Sequence, residues 1–251
     1  MIGVFDSGVG GLAVLTEIRA ALPDADLVYV ADRARAPYGT RSLEEVEAIS
    51  VEIGRWLFDN GAETVVVACN TASAAALETL RATFPEHPIV GMEPAVKPAA
   101  ALSKSRTVGV FATSATFQGR LFASVISRFA SGVEVIERAC PEWVEIVESG
   151  VVSGPEAQQM VSDAVTPVVE AGADVIVLGC THFSFLRPLI QEISGVEVID
   201  PAPAVGRQTA RVAASVGGSG ELVVAGSGDL DRLASLASHL AGIETKPIPF
   251  P

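Results

Sequence analysis

Short apolar runs alternate along this chain with longer segments of helical periodicity. The runs are of strand length and rich in β-branched residues, and they predict strands at residues 2–5, 27–30, 64–68, 89–91, 108–111, 133–136, 175–178, 196–199 and 222–225. Residues 11–22, 154–172 and 229–240 carry apolar side chains at spacings of three and four, which predicts helices. Strands alternating with helices indicate an α/β fold with parallel sheets covered on both sides.

The pattern occurs twice. Residues 60–71 read NGAETVVVACNT and residues 171–182 read AGADVIVLGCTH, with a cysteine at the same place in both. Residues 2–7 (IGVFDS) and 108–113 (VGVFAT) form a second matching pair, and the offsets of 111 and 106 residues nearly agree. We therefore expect two similar lobes, each a mainly parallel sheet flanked by helices, related by a pseudo-twofold axis with an active site between them.

Prolines that follow two of the strands mark the expected lobe boundaries. Residues 1–93 and 206–251 would form the first lobe, and residues 94–205 the second. The final stretch would then return to the first lobe. Residues 213–219 (AASVGGS) are expected to form a flexible loop.

Composition excludes several classes of protein. The 251 residues are 49% apolar, which is ample for a core, and the net charge of −13 argues against a nucleic-acid or acidic-membrane partner. None of the apolar runs approaches the ~18 residues of a membrane span, and the N-terminus lacks the basic and apolar segments of a signal peptide. Three cysteines, an odd number, fit reduced thiols. We expect a cytoplasmic protein.

Polar residues follow the apolar runs directly. Parallel sheets bind ligands outside the carboxyl ends of their strands, where strand order reverses. Residues at such ends are Asp6, Ser7, Asp32, Cys69, Asn70, Thr71, Glu93, Thr113, Cys180, Thr181 and His182.

The repeated thiols, Cys69 and Cys180, carry the chemical hypothesis. Thiols on opposite sides of one carbon could remove a proton from one face and return one to the other, which is racemisation or epimerisation. A cysteine pKa near ~8.5 allows one thiolate and one thiol at a time, with Asp6 and His182 as neighbours that decide which. Buried cysteines are often small hydrophobic residues, but the polar residues that follow both thiols favour function. Cys140 has no such companions and is read as structural.

Cofactors and metals are not expected. Zinc is disfavoured because Cys69, Cys180 and His182 supply too few ligands at standard spacing. Pyridoxal phosphate needs a lysine, and Lys97, Lys104 and Lys246 lie beside prolines, in a polar loop and near the tail.

A nicotinamide-dependent oxidoreductase remains an alternative. Residues 8–13 match the pattern G-x-G-x-x-A, and Asp32 stands where a ribose-binding acid would. The same loop, at a helix N-terminus, would also suit a substrate carboxylate. The second lobe has no counterpart to these glycines, and the dinucleotide interpretation leaves the two cysteines without a role. A non-catalytic binding protein on this scaffold is a further alternative.

Four motifs carry a family resemblance: DSGVGG at residues 6–11, APYG at 36–39, ACNTAS at 68–73 and GCTH at 179–182. The weaker ATSAT (112–116) and CPEWVEIVE (140–148) extend it over nearly the whole chain. In order and spacing the chain resembles glutamate racemases of the aspartate/glutamate racemase family. It departs at Phe183 and Ser184, where the family usually has tyrosine and proline, and at Glu145, where it has proline. It also departs after Thr113 and Thr116, where the family has a serine and a tyrosine and this chain reads TFQGRLF (116–122).

The resemblance implies a cofactor-independent enzyme that interconverts L- and D-glutamate and supplies the D-isomer for peptidoglycan. Cys69 would take the proton from D-glutamate with the help of Asp6, and Cys180 from L-glutamate with the help of His182 and Glu148, which by context alone is a solvated helix residue. The substrate would be held by Asp6, Ser7, Tyr38, Gly39, Asn70, Thr71, Thr113, Thr116, Thr181 and His182. The resemblance leaves open a homodimer and a relative acting on aspartate or another acid.

Overall fold

The computed structural model describes residues 1–213 and 216–251. Its strands are β1 (Ile2–Asp6), β2 (Leu27–Ala31), β3 (Thr64–Val67), β4 (Ile89–Gly91), β5 (Thr107–Ala112), β6 (Glu134–Ala139), β7 (Val175–Gly179), β8 (Glu197–Ile199), β9 (Leu222–Gly226) and β10 (Ile248–Pro249). Its α-helices are α1 (Leu12–Ala21), α2 (Leu43–Asp59), α3 (Asn70–Thr83), α4 (Val96–Leu102), α5 (Ser114–Gln118), α6 (Arg120–Phe129), α7 (Pro141–Ser149), α8 (Pro155–Glu170), α9 (Arg187–Ser194), α10 (Ala202–Val212) and α11 (Leu230–Ala241). The loop expected at residues 213–219 includes residues 214 and 215, which lie outside the described residues.

The strands form two parallel sheets with the same internal order. The larger sheet runs β10-β9-β2-β1-β3-β4 and the smaller runs β6-β5-β7-β8. The segment β2-β1-β3-β4 of the first therefore matches the whole of the second, strand for strand. The two-lobed α/β fold inferred from the repeat is confirmed.

Burial explains why the sequence forms these strands. Every residue of β1, β3, β5 and β7 is buried, as expected for central strands covered by helices on both faces. Strand β6 is different, because it lies at an edge and its last three residues are exposed. Its charged side chains there, on Glu137 and Arg138, protect the edge from pairing with another chain.

Each sheet reverses its strand order beside its central strand. In the first sheet this point lies between β1 and β3, and in the second between β5 and β7. The carboxyl ends of these four strands and the residues just after them carry Asp6, Cys69, Thr113 and Cys180. They face each other across the lobes, because Thr181 Oγ1 donates to Asp6 Oδ2 at 3.0 Å and the hydroxyls of Thr71 and Thr113 lie 3.0 Å apart.

Helix α10 links the end of the second sheet to the first lobe. It runs unbroken from Ala202 to Val212, across the boundary expected at residues 205 and 206. It packs closely on α1, where a Cβ on Gly206 would lie 2.9 Å from the Cβ of Glu17. The division into residues 1–93 plus 206–251 and 94–205 stays a prediction. Within the described ranges, none of the helices combines the length and hydropathy that a membrane span requires.

Candidate active site

A small cavity of about 160 Å³ lies between the lobes, at the carboxyl ends of the strands. Ten of the residues expected to act at the site line it: Ser7, Tyr38, Gly39, Cys69, Asn70, Thr71, Thr113, Cys180, Thr181 and His182. Pro37, Thr40, Ser114, Pro141, Val144 and Glu145 complete the wall. Asp6 and Thr116 are fully or almost fully buried behind this wall. Glu148 lies on an adjoining outer cavity of about 370 Å³, which shares Ser7 and His182 with the inner one.

Cys69 caps the N-terminus of α3. Its Sγ accepts a hydrogen bond from the backbone N–H of Ala72 at 3.4 Å and lies 3.9 Å from the Ser7 hydroxyl. Burial, and then the negative charge of Asp6, raise the pKa of the Cys69 thiol to about 12. Cys69 is therefore a protonated thiol at neutral pH, ready to act as an acid.

Cys180 follows β7 and has a different partner. Its Sγ lies 3.7 Å from His182 Nδ1, and His182 Nε2 lies 2.9 Å from Glu148 Oε1. Because a carboxylate oxygen only accepts, Nε2 carries a proton. Burial opposes a charged imidazole, but the bonds to Cys180 and Glu148 outweigh it and raise the pKa of His182 well above its usual range.

Glu148 is the anion in this chain of contacts. Although burial favours its neutral form, His182, the backbone N–H of Val9 and Arg33 together lower the pKa of Glu148 to about 2. Glu148 and His182 are thus both charged at neutral pH, which places a positive imidazolium against the Cys180 sulfur. The two thiols occupy equivalent positions in the repeat but differ in electrostatic environment.

Asp6 is fully buried at the end of β1. Its Oδ1 accepts from the backbone N–H of Gly8 at 2.9 Å, and its Oδ2 accepts from the Thr181 hydroxyl. Burial is the largest influence and raises the pKa of Asp6, although the nearby charge of His182 opposes this. A carboxylate with a raised pKa is a better proton acceptor, and its charge acts on Cys69.

The glycine loop after β1 binds the Glu148 carboxylate of the second lobe. Gly8 N–H is bonded to Asp6, and Val9 N–H donates to Glu148 Oε1 at 2.8 Å. A Cβ on Gly8 would collide with Glu148 Oε1, and one on Gly10 would lie 2.5 Å from His182 Nδ1. The glycines are needed because the second lobe packs directly on this loop. Neither a substrate carboxylate nor a dinucleotide phosphate at this loop is supported.

Both carboxylate oxygens of Asp32, the residue that would bind the ribose of a dinucleotide, accept hydrogen bonds from other residues of the protein. Its Oδ2 accepts from the Tyr38 hydroxyl at 2.5 Å and from Arg35 Nε at 2.6 Å, and its Oδ1 accepts from Ser227 at 2.8 Å. Tyr38 has therefore already donated its only hydroxyl proton, so it lines the cavity without a free donor. Beside it, a Cβ on Gly39 would lie 3.0 Å from Thr113 Cβ, so glycine allows this turn to meet the second lobe.

Neutral polar groups supply the rest of the wall. The hydroxyls of Thr113 and Thr116 lie 3.0 Å apart and, together with Thr71, join the two lobes. The amide of Asn70 is buried, and neither its oxygen nor its nitrogen has a hydrogen-bond partner among the described residues. Because an unsatisfied buried amide is costly, its position indicates that a ligand supplies the missing bonds.

Several residues discussed from the sequence lie elsewhere. Glu93 follows β4 as expected but is exposed and lines separate surface cavities, so it does not belong to the site. Cys140 is fully buried in the core, as expected for a structural cysteine. The three lysines are exposed, and none lines the cavity between the lobes. Within the described ranges, no three acidic, cysteine or histidine side chains are placed as metal ligands.

Two charged residues of the site were not found from the sequence. Arg33 pairs with Glu148, its Nε lying 3.2 Å from Oε2, and Glu145 lies at the junction of the two cavities. Arg33 directly follows Asp32 after β2, so the rule that polar residues at strand ends form the site could have included it. The sequence marks Glu145 only as a departure from the family pattern.

The fold and site define a two-lobed α/β protein in which a pair of thiols, one from each lobe, shares an enclosed cavity. Residues 6–209 match the family model described as Asp/Glu/hydantoin racemase. The chain belongs to this family.

The individual relatives described below are glutamate racemases. The chain is 49% identical to a glutamate racemase of Roseiflexus sp. (strain RS-1) in an alignment that covers 95% of this chain and 91% of the relative. It is similar to the crystal structure of a glutamate racemase from Bacillus anthracis, with a TM-score of 0.90, 28% identity and coverage of 100% and 97%. The structure of a glutamate racemase from Francisella tularensis in complex with D-glutamate gives a TM-score of 0.88, 26% identity and coverage of 100% and 97%.

The ion pair between Glu148 and His182 should make stability depend on pH. Folding lowers the pKa of Glu148 from 4.5, so its contribution is complete above pH 4.5 and is lost as the pH falls toward 2. Folding raises the pKa of His182 from 6.5, so its contribution is complete below pH 6.5 and is lost as the pH rises through the raised value. Glu148→Gln should therefore lower the free energy of unfolding by about 2 kcal/mol between these limits.

Denaturant unfolding at pH 5.5 and pH 3 measures this difference. Glu142→Gln, on the same helix, is the matched control and should change stability little at either pH. An equal loss for Glu148→Gln at both pH values would contradict the assignment of charge to this pair.

Proposed function

We propose that the protein is a glutamate racemase that interconverts L- and D-glutamate by a two-base mechanism without a cofactor, and that it supplies D-glutamate for peptidoglycan. One observation carries the mechanism: Cys69 and Cys180, from opposite lobes, line the same small cavity. A substrate between them would present one face of its α-carbon to each sulfur.

In the direction from L- to D-glutamate, Cys180 acts as the base. Its thiolate, beside the His182 imidazolium, takes the α-proton, and the electron pair left on carbon is delocalised into the α-carboxylate. The Cys69 thiol then gives its proton to the opposite face. The turnover ends with D-glutamate, a Cys180 thiol and a Cys69 thiolate, so protons and charges balance.

The reverse direction exchanges the roles of the thiols. Cys69 must then be the base, and its raised pKa makes its thiolate strongly basic once formed. The negative charge of Asp6 raises the pKa of this thiol, and it thereby makes the Cys69 thiolate a stronger base for the α-proton. Assigning Cys180 to L-glutamate and Cys69 to D-glutamate follows the family resemblance.

Substrate binding in this proposal uses neutral donors. Of the described residues, no lysine or arginine lines the inner cavity. The unpartnered amide of Asn70 offers both a donor and an acceptor, which suits a carboxylate and an ammonium group. Ser7, Thr71, Thr113 and Thr181 line the same wall and add hydroxyls, while Thr116 supports Thr113 from behind.

The size of the cavity favours a small acid over a dinucleotide. Pockets for drug-sized ligands span roughly 300–1,000 Å³, and the inner cavity measures about 160 Å³. The loop and the acid that a nicotinamide cofactor would use are both bonded within the protein. The D-glutamate complex of the Francisella tularensis relative points to glutamate as the substrate.

A substrate panel tests the specificity. Glutamate should be racemised with a kcat/KM about 100-fold above that of aspartate, because one methylene changes pocket binding by up to about that factor. Loss of optical rotation for each enantiomer, with and without added NAD, is the measurement. Faster turnover of aspartate would identify a racemase of another acid, and hydride transfer to NAD would support the oxidoreductase alternative.

Replacing each thiol tests the mechanism. Cys69→Ser and Cys180→Ser should each lower kcat for racemisation by about 1,000-fold in both directions, since each direction needs both an acid and a base. Cys140→Ala is the matched control, a buried cysteine outside the cavity, and should keep the wild-type order of activity. A non-catalytic binding protein would show no racemisation to lose.

Proton exchange distinguishes two bases from one. In heavy water, a two-base enzyme returns a solvent deuteron on the face opposite the one it deprotonates. Early in the reaction the deuterium should therefore appear in the product enantiomer and hardly at all in recovered substrate, as measured by mass spectrometry after chiral separation. Equal labelling of both enantiomers would rule out the arrangement of one thiol per face.

A cytoplasmic location belongs to the same proposal. All three cysteines are free thiols, which is the ordinary state in a reducing compartment. Homodimer formation stays a prediction.

A further inference from the structure

Arg33 is a charged residue of the site that the mechanism above does not use. It lies between β2 and the cavity mouth, and its side chain is only 16% exposed. Its Nε lies 3.2 Å from Glu148 Oε2, and its Nη1 donates to the backbone carbonyl of Asp229 at 3.2 Å. The guanidinium is therefore bonded on one side to the second lobe and on the other to the segment before α11.

We propose that Arg33 is a positioning residue that holds the Glu148 carboxylate against His182 and thereby controls proton transfer at Cys180, with no direct action on Cys69. This inference rests on the proposed function and adds a residue to it. It assigns a role to a contact between the lobes that the sequence alone did not indicate.

Arg33 limits how the Glu148 carboxylate can rotate. Its Oε1 accepts from His182 Nε2 and from Val9 N–H, while Oε2 faces Arg33. The carboxylate borders the outer cavity and its side chain is 20% exposed, so without Arg33 its second oxygen would turn toward water. The planar guanidinium, fixed at two ends, limits that rotation in a way that a flexible ammonium does not.

Glu148 is linked through contacts to Cys180, whereas Cys69 has other neighbours. From Glu148 the chain of contacts passes through His182 to Cys180 Sγ. Cys69 has another set of neighbours, Ser7 and the N–H of Ala72. Of the two charges that act on its pKa, that of Asp6 is larger than that of Cys180. A substitution at Arg33 should therefore alter the proton transfer at Cys180 and leave the proton transfer at Cys69 unchanged.

A nearby arginine provides a matched control. Arg232 on α11 donates to the backbone carbonyl of Ser149 at 2.7 Å and to that of Glu148 at 3.5 Å. It therefore binds the same end of α7 from the same lobe, but it touches the backbone and not the carboxylate. Replacing it tests whether helix placement alone explains any effect.

Values of kcat/KM do not show which of the two proton transfers an Arg33 variant slows. The enantiomers have equal free energies, so kcat/KM must be the same in both directions for the wild type and for every variant. A primary isotope effect does separate the two steps. With α-deuterated L-glutamate it reports how far removal of the proton by Cys180 limits the rate, and with α-deuterated D-glutamate it reports the same for Cys69.

The experiment compares Arg33→Met, Arg33→Lys and Arg232→Met with the wild type. Arg33→Met should lower kcat/KM by about tenfold, because small misplacements of catalytic groups reduce rate steeply. Its isotope effect should rise with deuterated L-glutamate and fall with deuterated D-glutamate. Arg33→Lys should recover part of the rate, and Arg232→Met should keep the wild-type isotope effects.

Each other outcome has a defined meaning. If Arg33→Met loses activity with unchanged isotope effects, or if they shift in the opposite sense, the inference is overturned. The same holds if Arg232→Met produces the same shift. Partial unfolding of a variant does not alter the readout, since only molecules that turn over contribute to it. A wild type that fails to racemise glutamate would instead refute the proposed function.

Discussion

The catalytic arrangement depends on a carboxylate oxygen that joins the two lobes, beside the hydrogen bonds from Thr181 to Asp6 and between Thr71 and Thr113. Glu148 Oε1, from the second lobe, accepts hydrogen bonds from the backbone N–H of Val9 in the first lobe and from His182 in its own. This close approach leaves no room for side chains at Gly8 and Gly10. It also brings the strand ends of both sheets together, so that the two thiols enclose one cavity and do not lie in separate cores.

The duplicated halves have become chemically different around that cavity. Cys69 caps a long helix, and the charge of Asp6 raises the pKa of its thiol. Cys180 precedes a short 3₁₀ segment and contacts the protonated imidazole of His182. Repetition of the strand order explains why both thiols are present. The residues next to each thiol explain why one is held as an acid while the other is paired with a cation. A reaction that needs an acid and a base at once is served by this difference.

The sequence predicted the features that depend on local pattern. Buried parallel strands have recognisable apolar runs, and the repeat indicated both the two lobes and the cysteine pair. Contacts between the lobes were not predictable in this way. The glycine loop matched an anion-binding pattern and turned out to pack against Glu148 and His182. Arg33 has the position of a strand-end residue, but its pairing with Glu148 depends on the second lobe and has no local pattern. Strand β10, two exposed residues ending in proline, is too short for an apolar pattern to predict it.

The absence of lysine and arginine from the inner wall, within the described residues, has a physical reason. A cation beside the substrate would bind glutamate more tightly, but it would also stabilise the Cys69 thiolate and lower its pKa from about 12. In the proposed reaction, which is reversible, that thiolate must be basic enough to remove a weakly acidic α-proton. In the same proposal, neutral hydroxyls and the Asn70 amide hold the carboxylates without lowering this pKa. Arg33 stands farther out, where its charge acts on Glu148 and leaves Cys69 strongly basic.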